Sequence, residues 1–185
     1  MRRFLLLLIA LTGPLSAAQP WQTLTNCKLV RHPGNDGDSF HVHHAGKAYI
    51  FRLYYVDTPE TATDFPDRVA EQAHYFGISQ RRAVDIGRAA ERFSSRQLAE
   101  PFTVVTRWQD ARGRSKLPRH YAFVFVNGRQ DLGHLLVQNG LARVFGEKAI
   151  PPTGGTTKAV EQKLLTLERQ ARKARLGAWA SASAN

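Results

Sequence analysis

The sequence predicts an α+β domain built as a small Greek-key β-barrel capped by helices. Three observations carry this. The order along the chain reads three strands, helix, two strands, helix, helix; the strands are short; and turn signals rich in Gly, Asn and Asp separate them. With 185 residues, 14 glycines, 9 prolines and one cysteine, the chain fits one domain that needs no disulfide framework.

Residues 1–18 come first, with Arg2 and Arg3, the apolar run FLLLLIALT and the small residues Ser16, Ala17 and Ala18, the pattern of a secretory signal peptide. The run is about half the length a membrane-spanning helix needs, and no second one follows, so no integral membrane segment is expected and the mature protein is expected to be secreted or periplasmic. The domain is expected over residues 19–179 and a disordered tail over 180–185. Cys27 has no partner for a disulfide and reads as a buried structural thiol.

The first strand lies in LTNCKLVRH, and the turn-rich PGNDGD leads into a hairpin, SFHVHHAGKAYIFRLYYVD. Alternation in its second arm sets Arg52 on the opposite face from Phe51 and Leu53. From Thr58 to Asp85 the chain is polar with one short helical candidate, DRVAEQAHYFG, and Gly87 opens a helix over RAAERFSSRQLAE. FTVVTRW and HYAFVFV are two strands joined by the basic loop QDARGRSKLPR. Asn127-Gly128 turns into the helix DLGHLLVQNG, closed by Gly140, and a last helix carries Val160, Leu164, Leu167, Ala171 and Ala174 on one stripe.

The charge narrows the function. Lys and Arg number 26 against 15 Asp and Glu, a formal net of +11, and loss of residues 1–18 leaves +9 on the domain itself. Such an excess favours a polyanion partner, nucleic acid first, over a neutral metabolite.

Asp36-Gly37-Asp38-Ser39, Arg52 and Asp57-Thr58-Pro59-Glu60 form the informative constellation. Alone, Asp-Gly is a turn signal and Thr58-Pro59 a strand-ending turn. Together they differ: Asp38 starts one hairpin arm and Asp57 ends the other, so two carboxylates converge at one rim, with Glu60 beside them. Such an oxygen-rich site suits a hard cation such as calcium and not zinc.

These residues resemble the staphylococcal nuclease-like (thermonuclease) family, through DGDSFHV, FRLYYVDTPE, RHYAFVFVNG, LLVQNGLARV and ARKARLGAW, over about Cys27 to Trp179. The resemblance implies a five-stranded OB-like barrel with three helices, and calcium-dependent hydrolysis of DNA and RNA leaving 3′-phosphates. It implies Asp38, Asp57 and the Thr58 carbonyl as calcium ligands, Glu60 as general base, Arg52 and Arg119 as catalytic arginines, and Lys116 as a phosphate contact. The chemistry agrees: attack on a phosphodiester builds negative charge, which fixed cations and guanidinium forks stabilise.

Two departures bear on cleavage mode. Leu117-Pro118 stands where the family has a tyrosine-glycine pair, and Phe145 or Gly146 where it has a second tyrosine, so strand-end capture weakens and mainly endonucleolytic cutting is expected. Residues 61–86 are longer than the family core and read as an ordered surface segment, with Tyr75 and His74 as candidate substitute contacts. The expected partner is single-stranded or locally melted nucleic acid, and the expected state a monomer. The alternative is a non-catalytic OB-like nucleic-acid-binding module of the cell envelope; the presence of Asp38, Arg52, Asp57, Glu60 and Arg119 together separates the two.

Overall fold

The structure, a computed structural model, describes residues 19–113 and 117–181. The expected signal peptide, Lys116 and residues 182–185 of the expected tail lie outside the described residues.

Five strands close the barrel: β1 (Gln22–Leu29), β2 (Ser39–His44), β3 (Lys47–Leu53), β5 (Phe102–Asp110) and β6 (Arg119–Val126). β1 pairs antiparallel with β2 and β5, β2 with β3, and β5 with β6, while β3 runs parallel to β6 and completes the ring. Alternation fills the interior as anticipated. Phe40, Val42, Phe51, Leu53, Val104, Ala122 and Val124 are buried inside, each large apolar side chain contributing about 1.5–3 kcal/mol. Cys27 is buried too, its Sγ donating to the Leu24 carbonyl oxygen at 3.3 Å, and burial pushes the thiol up to about 11.

The hairpin's second arm is shorter than its sequence suggested. β3 stops at Leu53, Tyr55 takes φ 67°, and a separate two-residue strand, β4 (Val56–Asp57), pairs with β8 (Arg143–Val144). Positive φ is costly for an aromatic residue. Contacts from the far end of the chain hold it: the Tyr55 amide donates to the Glu147 carbonyl oxygen at 2.9 Å, the Phe145 amide donates to the Tyr55 carbonyl at 2.8 Å, and the Tyr55 hydroxyl donates to the Ala149 carbonyl. Asp57 is therefore delivered by β4, not by the end of a hairpin arm.

Four α-helices cap the barrel, one more than expected. The candidate DRVAEQAHYFG is α1 (Pro66–Phe76), ended by Gly77 in the left-handed region. α2 spans Gln80–Gln97 and begins seven residues before Gly87, capped by the Ser79 hydroxyl accepting from the Arg82 amide at 3.2 Å. Gly87 thus sits inside the helix and serves close packing, because a Cβ there would collide with the carbonyl oxygens of Pro59 and Glu60. α3 (Leu132–Gln138) follows β7 (Gln130–Asp131), and α4 (Thr157–Lys173) packs Leu164 and Ala171 into the core. A 3-10 turn, Gly177–Ser181, closes the described chain and buries Trp179. Among the described residues no helix is long and apolar enough to cross a membrane.

Candidate active site

At one rim of the barrel the chain turns through Asp36-Gly37-Asp38. The Asp36 Oδ1 accepts from the Asp38 amide at 3.1 Å and the Ser39 amide at 2.6 Å, an Asx turn that opens β2. α2 presses on this turn. Its Ser94 hydroxyl donates to the Gly37 carbonyl at 2.6 Å, and a Cβ on Gly37 would come within 2.7 Å of both Ala90 Cβ and Thr58 Cγ2. One helix thereby seats both carboxylate-bearing segments, against Gly37 on one side and through Gly87 on the other.

Arg52 links them. Its Nη2 donates to Asp57 Oδ1 at 2.9 Å and lies 3.5 Å from Asp38 Oδ2, so the two carboxylates converge on one point. The Thr58 amide donates to the same Asp38 oxygen at 3.0 Å. The electrostatics differ on the two sides. Burial, with repulsion from Asp57, holds the Asp38 carboxyl above the usual range despite Arg52, and burial with repulsion from Asp38 raises Asp36 further. Burial also works to raise Asp57, but Arg68, Gln72, Arg143 and Arg52 outweigh it and hold that carboxyl low. Asp38, foremost, and Asp57 raise the already high Arg52 value despite burial, so its charge is permanent.

Asp57 is the hub of the site. Its Oδ1 accepts from Arg52 and from Arg68 Nη2, each at 2.9 Å; its Oδ2 accepts from Arg143 Nε at 2.9 Å and Gln72 Nε2 at 3.0 Å. Gln72, fully buried, also donates to the Thr58 carbonyl at 3.0 Å and accepts from the Glu60 amide at 3.0 Å, which fixes the whole Asp57–Glu60 backbone. Glu60 points outward. Its Oε1 accepts from Arg68 Nε at 2.6 Å.

Arg119 stands on the same outward face of the sheet, one pair of residues further along. Ser39 pairs with Arg52 and Arg52 with Tyr121, while His41 pairs with Ile50 and Ile50 with Arg119. Its guanidinium donates to the carbonyls of Arg112 at 2.8 Å and Ala111 at 3.3 Å. Burial, then repulsion from Arg52, lowers its value against the pull of Asp36 and Asp38. The structure thus brings Asp38, Arg52, Asp57, Thr58 and Glu60 into one bonded cluster and leaves Arg119 beside it, in its field but bonded elsewhere.

Residues 50–181 match the family described as Staphylococcal nuclease homologue. The chain belongs to that family. The match takes in Arg52, Asp57, Thr58, Glu60 and Arg119 and begins after Asp38, so Asp38 enters the site through the geometry. The chain is also similar to an uncharacterized protein of Methanocaldococcus jannaschii, with 24% identity over 153 residues, 78% of this chain and 67% of that one.

Staphylococcal nuclease homologues are generally calcium-dependent, and the donor set here fits a hard cation. Asp38 and Asp57 converge on the point held by Arg52 Nη2, their mutual repulsion favours a positive charge there, and the Thr58 carbonyl keeps a second lone pair; because each Asp57 oxygen already accepts two donors, a cation would take the place of one guanidinium bond on Asp57 Oδ1. Among the described residues no group of three or more His, Cys, Asp or Glu gathers as a metal cluster, so carbonyl and water oxygens would complete the shell.

The sequence reading missed Arg68, Gln72 and Arg143. The segment at 61–86 reads as a surface feature, yet α1 turns Arg68 and Gln72 onto the site, and its Glu71 accepts from Arg143 Nη1 at 3.0 Å. Helical spacing was the available signal: Arg68 and Gln72 are four apart, hence on one face. Tyr75 meets the cluster through its ring, the centroid 5.5 Å from the guanidinium carbon of Arg143. The Tyr75 hydroxyl donates to Glu168 at 2.7 Å, and His74 is exposed. Arg143 is buried against Phe145, its guanidinium carbon 4.2 Å from the ring centroid.

Proposed function

We propose that this protein is an exported calcium-dependent nuclease that cuts DNA and RNA mainly at internal phosphodiesters, with little sequence preference, and leaves 3′-phosphates. What carries the reading is the convergence of Asp38, Arg52 and Asp57 with Glu60 held at the open edge of the same cluster. Family membership supports a nucleic-acid substrate, and the net charge of +11 suits a polyanion.

Asp38, Asp57 and the Thr58 carbonyl would hold calcium, which when bound supplies fixed positive charge for the phosphate to lean on. Arg52 offers a planar fork to phosphate oxygens and Arg119 a second one from the adjacent row. Glu60 takes the proton of an attacking water, whose oxygen forms the new bond to phosphorus as the bond to the 5′ oxygen breaks and that oxygen takes a proton from solvent water. Arg68 keeps the Glu60 carboxylate facing the reacting side, a constraint that the α1 segment adds to the site. Lys116, ahead of Arg119 in the chain, supplies a further phosphate contact. Residues 1–18 direct export as a signal peptide.

The test is digestion of circular single-stranded DNA, its linear counterpart, plasmid and RNA by the protein lacking residues 1–18, with calcium or with chelator. Circles should be cut about as readily as linear strands, only with calcium, leaving 3′-phosphate ends. Full activity in chelator overturns the metal assignment, and a resistant circle overturns the endonucleolytic one.

A further inference from the structure

A second group of side chains on the outward face of the sheet plays no part in the cluster. Beyond the row that holds Arg52, the groove continues over the row His41–Ile50–Arg119, and His32 from the β1–β2 loop lies against it. The groove has a volume of about 550 Å³ and is lined by His32, Ser39, His41, Ile50 and Arg119 among others. His32 also lines a larger neighbouring groove of about 920 Å³, which carries Lys28 and Arg31. The two grooves meet at this one exposed ring.

The His32 and His41 rings are stacked, with centroids 3.7 Å apart and planes 30° from parallel. The hydrogen bonds show how they are held. Asn35 Nδ2 donates to the Val30 carbonyl at 2.8 Å, which leaves Asn35 Oδ1 as acceptor for both the His41 amide at 2.9 Å and the His41 ring at 2.8 Å. His41 therefore carries its proton on Nδ1. His32 is the reverse, because its Nδ1 accepts from the Gly34 amide at 3.0 Å. Each bond is satisfied by the uncharged ring, and burial with the neighbouring His32 lowers the His41 value in the same direction. The pair is a stacked aromatic surface beside Arg119, with Lys28 and Arg31 along the neighbouring groove.

We propose that the His32–His41 stack is a nucleobase platform: it takes the base of the nucleotide whose phosphate lies on Arg119, one row from the Arg52 cluster. This rests on the nucleic-acid reading above and sharpens it. Arg119 anchors its guanidinium on two carbonyls and, among the described residues, forms no ion pair, so its charge remains for a phosphate. A base can reach His32 only if it has left its own stack, so the groove selects single strands and melted ends over intact duplex. Lys28 and Arg31 continue the backbone track past the platform.

The experiment measures fluorescence anisotropy of a labelled oligothymidylate and of its abasic counterpart, with calcium, in the Glu60→Gln background so that strands survive. The base-bearing strand should bind about tenfold more tightly. Adding His32→Ala should bring that ratio close to one, His32→Phe should restore it, and His32→Lys should tighten both strands without restoring it. An unchanged ratio in His32→Ala, or recovery with lysine, overturns the platform. If the background protein binds the two strands equally while the parent enzyme still cleaves DNA, the platform alone fails. If the protein binds neither strand, the nucleic-acid reading falls with it.

Discussion

Asp38 and Asp57 are the same residue type, both buried at the same rim and both bonded to Arg52, yet they are shifted in opposite directions. The turn that carries Asp38 brings Asp36 alongside and offers one guanidinium at 3.5 Å. The β4–α1 region surrounds Asp57 with Arg52, Arg68, Arg143 and Gln72, so both oxygens accept two donors each. The first region holds buried carboxylates that one guanidinium only partly offsets and so invites a further cation. The second neutralises its carboxylate from within and uses it to tie β4, α1 and β8 together.

Asp57→Ala should break this contrast most severely. It strands the guanidinium of Arg143, 2% exposed, and that of Arg52, and the loss of a buried ionic partner costs about 3–5 kcal/mol. Urea denaturation should show the midpoint falling sharply, and a midpoint close to that of the parent protein would refute the hub. Glu60→Gln should leave stability within about 1 kcal/mol, since its pair with Arg68 is partly exposed. Its turnover should nonetheless drop about 100- to 10,000-fold, and steady-state kinetics that show near-normal kcat would remove Glu60 from water activation.

Arg68→Ala tests whether α1 belongs to the site or merely sits near it. Releasing Glu60 should lower kcat about 100-fold with a smaller change in KM, and Arg68→Lys, which keeps the charge but loses the fork spanning Glu60 and Asp57, should recover only part. Equal kcat in all three proteins would make α1 structural.

Asp38→Asn should change stability in the opposite sense, a gain of about 1 kcal/mol at neutral pH, because it removes a buried charge that one guanidinium at 3.5 Å only partly offsets. The Asp38 carboxyl is raised in the fold, so its contribution is present below its unfolded value near 3.9 and is lost as pH rises through the folded one. The advantage of Asp38→Asn should therefore shrink as pH falls toward 4. Asp57 runs the other way: its stabilisation is present above about 3.9 and disappears as acid titrates the low folded carboxyl. Thermal melts across that range read both, and a gap that widens on acidification would contradict the assignment.

Much of the barrel was legible in the chain. Strand alternation put Phe51 and Leu53 inside and Arg52 outside, and the Asp-Gly turn opened β2. What was not legible is non-local. Tyr55 ends the hairpin arm only because Phe145, Glu147 and Ala149, some ninety residues later, hold its backbone and hydroxyl. Gly87 reads as a helix opener, and only the approach of the Pro59 and Glu60 carbonyls reveals why a glycine stands inside α2.

The sequence by itself determined the residue types of the site, because hard-cation and phosphate chemistry demand carboxylates and guanidiniums, and it determined which face of each strand turns inward, because burying one face of a strand demands a period of two. Tertiary structure decided how those charges are shared out. Coulomb energy depends on distance and on the dielectric around each group, neither of which a linear order contains. Hence FRLYYVDTPE announces Asp57, while only the folding of α1 and β8 against β4 turns it into the clamped member of the pair and leaves Asp38 as the open one.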